Sequence, residues 1–98
     1  MVKTKPFDVA KHLKTRELIA QYLTEAFQSG DPAVVAKALG NIARSEGMTE
    51  IAEKAGVSRE NLYRALSGET APEFATVMKV LRALGIKLLA RAKPDKAA

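Results

Sequence analysis

Apolar residues recur along this chain at the three- and four-residue spacing of an amphipathic α-helix. Short breaks rich in glycine, proline and small polar residues divide that pattern, and such residues interrupt helices. The breaks fall at residues 30–32, 46–47, 55–58, 67–72 and 84–85. Between them Ala, Leu, Glu, Lys and Arg dominate, and these residues are strong helix formers. The pattern therefore predicts an all-α protein.

The first thirty residues are predicted to form a short turn and then a longer helix. Asp8 is expected to cap a turn that ends at Leu13, and Thr15 to cap a helix from Arg16 to Gln28. An apolar stripe follows this second helix: Leu18, Ile19, Tyr22, Leu23, Ala26 and Phe27. Amphipathic helices in small domains usually turn such a stripe inward, so core packing is preferred for most of it. A partner-binding surface is the alternative.

The next helix has clear start and stop signals. Asp31 can cap it, and Pro32 follows at the position where a missing N–H costs nothing. Gly47 supplies the stop. One face of the predicted helix is apolar, with Val34, Val35, Ala38, Leu39, Ile42 and Ala43.

Three further helices are predicted, from Thr49 to Ala55, from Arg59 to Leu66 and from Pro72 to Leu84. The last of them is expected to direct five side chains inward: Phe74, Val77, Met78, Leu81 and Leu84. Residues 86–91 alternate imperfectly, which allows a short C-terminal strand. Such a strand would need a partner from another copy of the chain or from a different protein. Residues 92–98 are expected to be a disordered tail.

The stretch from Met48 to Ser67 has the pattern of a helix-turn-helix. Two helices joined by a tight turn cross closely, and the small residue Ala52 lies where their backbones would meet. Gly56 supplies the positive φ that the turn needs, and Ser58 can cap the second helix. The apolar residues that would hold both helices on the core are Ile51, Ala55, Val57, Leu62 and Leu66.

The polar face of the second helix is the candidate DNA-reading surface. A helix fits the major groove and presents the side chains near its N-terminus to the base edges. The candidates for base contacts are Arg59, Glu60, Tyr63 and Arg64, and the candidates for phosphate contacts are Arg44, Thr49, Ser58, Asn61 and Ser67. The alternative is a solvated helix face on which Glu60 and Arg64 pair with each other. DNA binding is favoured because the turn glycine, the capping serine and the outward arginines occur together.

Size and charge agree with a small DNA-binding protein. The chain has 98 residues, enough for one domain, and a net charge of +5 that favours a polyanionic partner. It has no cysteine, no apolar run near the ~20 residues that cross a bilayer, and no secretory signal, so a cytoplasmic location without membrane contact is expected. His12 is the only histidine, and no nucleophile lies near it in the sequence. An enzyme, a cofactor and a metal site are therefore not expected.

Two sets of motifs resemble known families. The helix-turn-helix stretch is similar to the phage-repressor-like (Xre, Cro-like) family. Over almost the whole chain, "FDVAKHL", "IAQYLTEAF", "GDPAVVAKALGNIARSEGMTEIAEKAGVSRENLYRALSGE" and "PEFATVMKVLRALGIKL" resemble addiction-module antidote proteins, the antitoxins paired with RelE/HigB-like toxins. One departure is the loop after Gly68, which reads Glu-Thr-Ala-Pro without a second glycine or asparagine.

The resemblance implies a five-helix repressor-like domain from about Pro32 to Gly85 with an N-terminal helical extension. It also implies a homodimer that binds a palindrome in its own promoter, represses transcription and sequesters a toxin. We accordingly expect an N-terminal extension over residues 1–30, a DNA-binding domain over 31–91 and a tail over 92–98. The expected dimer interface comprises Met78, Leu81, Leu84 and residues 86–89, although core packing is an open alternative there. A stand-alone transcriptional regulator and a helical protein-interaction module are the competing functions.

Overall fold

The computed structural model describes residues 6–94, with side chains from residue 14 onward. Residues 6–94 form five helices: α1 (Pro6–Gln28), α2 (Pro32–Glu46), α3 (Met48–Ala55), α4 (Arg59–Ala65) and α5 (Phe74–Leu84). No strand occurs within residues 6–94, which confirms the all-α prediction. Of the predicted tail, residues 95–98 lie outside the described residues. None of the helices between residues 6 and 94 has the length and apolar character needed to span a bilayer.

The first helix is longer than predicted. The sequence indicated a separate turn up to Leu13 and a cap at Thr15, but α1 is continuous from Pro6 to Gln28. No glycine or proline interrupts it after its first residue, and each residue added to an existing helix gains a hydrogen bond without a new nucleation cost. Thr15 therefore lies inside the helix, and the side chain of Asp8 is outside the described residues.

The last two elements also differ from the prediction. The helix α5 begins at Phe74 instead of Pro72, after an irregular approach through residues 71–73. Residues 86–91 are irregular instead of a strand, since no strand lies beside them in the described chain. The region from Pro32 to Gly85 holds four helices, so the fifth helix of the structure is α1 and not a further helix of that region.

All five helices contribute to one apolar core. Its largest fully buried side chains are Leu39, Leu62, Leu66, Val80 and Leu81. The helix α1 contributes Leu23 and Ala26, and its Ile19 and Phe27 pack against the same cluster. Near the middle of α1, the guanidinium of Arg16 donates a 2.6 Å hydrogen bond to the carbonyl oxygen of Gly85, the residue that caps α5.

Several residues predicted to face inward are exposed. They are Leu18 and Tyr22 on α1, Val34 on α2, and Phe74 and Met78 on α5. Phe74 is 68% exposed because it is the first residue of α5, beyond the helix's inward face of Val77, Val80, Leu81 and Leu84. Leu81 and Leu84, which were also candidates for the dimer interface, are buried in the monomer and belong to the core.

Candidate nucleic-acid interface

Two short helices and a tight turn form the candidate interface. The helix α3 ends at Gly56, which has φ +74° and ψ 30°, the left-handed conformation expected for the turn glycine. The turn closes through hydrogen bonds from the N–H groups of Gly56 and Val57 to the carbonyl oxygens of Glu53 and Ala52. The next helix begins directly afterwards, because the Ser58 hydroxyl accepts a 3.0 Å hydrogen bond from the N–H of Asn61. The predicted turn and cap are confirmed.

The inward faces of α3 and α4 hold the pair on the core. The predicted anchoring residues Ile51, Ala55, Leu62 and Leu66 are buried, and Val57 is half-buried against the same cluster. The small residue Ala52 is also buried, as expected where helices approach. With its apolar side buried, α4 has only one side left for polar contacts.

A glycine in α2 allows α4 to end close by. A Cβ built at Gly40 would lie 2.8 Å from the carbonyl oxygen of Leu66, the residue that ends α4. Since a Cβ contact below 3.0 Å requires some atom to move, only glycine fits here without displacement. No feature of the sequence indicated this contact, because Gly40 lies inside an otherwise ordinary helical pattern.

The four residues predicted to contact bases all lie exposed on α4. Arg59 leans over Tyr63, with its guanidinium carbon 5.5 Å from the ring centroid and its Nη2 donating a 3.4 Å hydrogen bond to the hydroxyl. Glu60 and Arg64 do not pair with each other, since the ion pair recorded among the described residues joins Lys54 and Glu50 at 3.4 Å. The guanidinium of Arg64 and the carboxylate of Glu60 therefore face solvent without an ionic partner in the described chain.

The residues predicted to contact phosphates differ in how far they are engaged. Thr49 is exposed in the first turn of α3, and Asn61 is exposed on α4. Ser58 uses its hydroxyl oxygen as the cap of α4. The Ser67 hydroxyl donates to the carbonyl of Arg64 at 3.0 Å and accepts from the N–H of Glu69 at 3.1 Å, so it closes the loop after α4.

Arg44, the fifth phosphate candidate, belongs to a network that the sequence did not reveal. Its Nη2 donates to Oδ1 of Asn41 at 2.7 Å, and Nδ2 of Asn41 donates to the hydroxyl of Tyr22 at 3.0 Å. Its Nη1 would lie 3.3 Å from a Cβ at Gly40, next to the end of α4. The i,i+3 spacing of Asn41 and Arg44 was visible in the sequence, but the partner on α1 was not.

The described residues offer no arrangement for metal binding. No group of three or more His, Cys, Asp or Glu side chains is placed to hold a metal ion in that part of the chain. The exposed face of α4 instead carries a row of hydrogen-bond donors and one carboxylate. Such groups are suited to recognising a partner through hydrogen bonds.

Comparison with known proteins decides the family. A family model described as "probable addiction module antidote protein" matches residues 3–92. The chain belongs to this antidote family. An uncharacterized protein of Haemophilus influenzae is 52% identical to it over 83 residues, which cover 85% of this chain and 86% of the relative. No solved structure matches the chain.

Membership of the antidote family supports an antitoxin function and, in general terms, a toxin partner. It also agrees with the prediction that the protein is not an enzyme. Part of the sequence-based resemblance is thereby confirmed, namely the likeness to antidote proteins.

Proposed function

We propose that this antidote-family protein is a cytoplasmic antitoxin and transcriptional repressor. In this proposal it binds its own operator as a homodimer through α3 and α4, as phage-repressor-like proteins do, and neutralises a cognate RelE/HigB-like toxin. The observation that carries the proposal is the placement of α4. Its apolar face is buried, its N-terminus is capped by Ser58, and its polar side chains are exposed and not paired with any carboxylate of residues 14–94.

The dimensions and chemistry of α4 suit the major groove. The helix has seven residues and is therefore about 10 Å long, against a groove about 12 Å wide. Arg59 and Arg64 can each form two hydrogen bonds to a guanine, and Glu60 can accept from the amino group of a cytosine. Tyr63 offers a ring face to a thymine methyl group or a hydroxyl to a phosphate.

Around this helix, the phosphate candidates would fix the position of the protein on the duplex. Thr49 stands near the N-terminus of α3, where free N–H groups favour an anion, and Arg44 stands beside the end of α4. Ser58, Asn61 and Ser67 lie at the two ends of α4. Such contacts set register and orientation but carry no sequence information.

Dimerisation is proposed because one recognition helix reads few base pairs. Proteins of this type usually place two copies on half-sites about one turn of DNA apart. Because Leu81 and Leu84 are buried in the monomer, the exposed apolar members of the predicted interface are Met78, Leu88 and Leu89. We retain these three as the candidate dimer contacts.

The toxin contact is proposed on the extension formed by residues 1–30. Leu18 and Tyr22 of α1 are 56% and 44% exposed, although the pattern predicted an inward stripe. Large exposed side chains of this kind are common in protein contacts. They lie on α1, so a toxin bound there would not have to contact α4.

Binding to the gene's own upstream DNA tests the DNA part of the proposal. We expect a footprint on a palindrome, and we expect Arg59→Ala or Arg64→Ala to weaken operator binding by ~1–3 kcal/mol, about 5- to 150-fold. Arg82→Ala is the matched control, because it removes an exposed arginine from α5. A double variant without Arg59 and Arg64 that keeps full operator preference would exclude these residues from base reading.

Co-expression with the neighbouring reading frame tests the toxin part. Wild-type protein should rescue growth, and Leu18→Glu should lose the rescue while keeping operator binding. Val34→Glu, a matched change at an exposed apolar residue of α2, should still rescue. A neighbour that stays lethal with wild-type protein would favour a stand-alone regulator.

A further inference from the structure

Positive charge is distributed unevenly along the chain. Residues 31–73, which hold α2, α3 and α4, contain seven acidic and five basic side chains. Residues 74–94 contain five basic side chains and no acidic one. Double-stranded DNA carries one negative charge per ~1.7 Å of helix axis, and charge neutralisation supplies much of the affinity of most DNA-binding proteins. The helix-turn-helix region does not supply that net positive charge.

Three of these basic residues lie on the segment that follows α5. We name residues 86–94 the basic arm; its cations are Lys87, Arg91 and Lys93, and all three are exposed. None of them forms an ion pair with a carboxylate of the described residues. The backbone from residue 87 to residue 94 is irregular and makes no backbone hydrogen bond to another described backbone group. The arm thus has charge and hydrogen-bonding groups that its own chain does not use.

The base of the basic arm is fixed to the domain. Gly85 ends α5 with φ +75°, and Arg16 donates its hydrogen bond to the Gly85 carbonyl. The N–H of Ile86 bonds to the carbonyl of Leu81, and its side chain packs against the core. The eight residues beyond Ile86, 87–94, can extend about 27 Å, most of one turn of B-DNA.

We propose that the basic arm contacts the phosphates of duplex DNA outside the base pairs that α4 reads. The inference rests on the proposed DNA-binding function. It assigns much of the electrostatic contribution to DNA affinity to the basic arm and not to α3 and α4. Lysine ammonium groups act as point charges toward phosphates and favour no base. An acidic protein would also attract the arm. DNA is favoured because residues 31–73, which hold the proposed reading helix, have more acidic than basic side chains and do not supply the positive charge that DNA binding needs.

The salt dependence of DNA binding tests this proposal. The triple variant Lys87→Ala, Arg91→Ala, Lys93→Ala is titrated with operator and with a scrambled duplex at several salt concentrations. We expect the slope of log K against log salt to become less steep by about 2–3, since each lost phosphate contact removes about 0.9. The ratio of operator to scrambled affinity should stay within about twofold, because phosphate contacts carry no sequence information.

A charge-conserving variant is the matched control. Lys87→Arg, Arg91→Lys, Lys93→Arg should keep the wild-type slope, and all variants should keep the wild-type melting temperature because these side chains are exposed. If the alanine variant keeps the wild-type slope and the wild-type operator preference, the basic arm does not contact phosphates. The proposed function of the helix-turn-helix would be unaffected by that result. An alanine variant that loses only toxin binding would also overturn the proposal, because the arm would then contact a protein partner and not DNA. Wild-type protein without operator preference would overturn the proposed function itself.

Discussion

Replacing Gly40 by alanine tests how α2 and α4 are packed. The new methyl group would stand 2.8 Å from the carbonyl oxygen of Leu66 and 3.4 Å from the Leu66 Cβ. In most helix interiors this exchange is stabilising by roughly 0.5–1 kcal/mol, because alanine loses less backbone entropy than glycine. Here the methyl group meets a backbone atom that cannot rotate away as a side chain would.

The two effects have opposite signs, and their sizes decide the outcome. Overpacking a filled interior costs typically ~1–3 kcal/mol. After the gain in helix propensity is subtracted, we expect Gly40→Ala to lower the free energy of unfolding by about 1 kcal/mol. For a domain of this size, that corresponds to a melting temperature lower by about 4–8 °C. The end of α4 should move with Leu66, so operator affinity should also fall at temperatures where the variant is folded.

Thermal and urea unfolding followed by circular dichroism measure this effect. Ser45→Ala is the matched control, because Ser45 is exposed on the same helix and its exchange should be stabilising by about 0.5 kcal/mol through helix propensity alone. If Gly40→Ala unfolds at the same or a higher temperature than wild type while Ser45→Ala behaves as expected, the close approach of Leu66 does not limit position 40.

Three further predictions concern the turn, the cap and the arginine network. Gly56→Ala should lower the free energy of unfolding by about 1–2 kcal/mol in a urea titration. The positive φ of +74° is the cause, because no atom of the described residues lies within 4 Å of a Cβ built there. An unchanged midpoint would contradict the left-handed turn. Ser58→Ala should lower the free energy of unfolding by about 1 kcal/mol, because the helix cap is lost. Ser58→Asp should keep the cap and the stability but weaken DNA binding in an anisotropy titration. Equal DNA affinities for Ser58→Asp and wild type would argue against a phosphate near this residue. Asn41→Ala should weaken binding to all duplexes by about 0.5–1.5 kcal/mol, because Arg44 loses the hydrogen bond that holds it. If Asn41→Ala weakens DNA binding by a similar amount in an Arg44→Ala background, the two residues are not coupled.

The sequence predicted those features that depend on local chemistry. Asp31 accepts a 2.9 Å hydrogen bond from the N–H of Ala33 at the start of α2, and Gly47 ends that helix with φ +111°. Gly56 and Ser58 occupy the turn and the cap as expected. In each case the residue type is suited to one backbone conformation or to one nearby N–H group. Such local features can be predicted from the sequence without knowing how the helices pack.

Features that depend on how helices meet could not be predicted in this way. Periodicity placed Met78 inside, but α5 turns Val80 toward the core and leaves Met78 37% exposed. The contact of Gly40 with Leu66 joins residues that are distant in sequence, and so does the hydrogen bond between Asn41 and Tyr22. These pairs are fixed by the crossing of helices, which a hydrophobic pattern does not specify.

The positions of the aromatic hydroxyls have a practical consequence. The chain has two tyrosines and no tryptophan, so Tyr22 and Tyr63 dominate its intrinsic fluorescence. The ring of Tyr63 lies under Arg59, and the hydroxyl of Tyr22 is joined through Asn41 to Arg44. Emission should therefore respond when either arginine changes partner, and Tyr22→Phe would leave a single reporter on α4. The protein thus carries its own optical probes at both places and needs no attached dye.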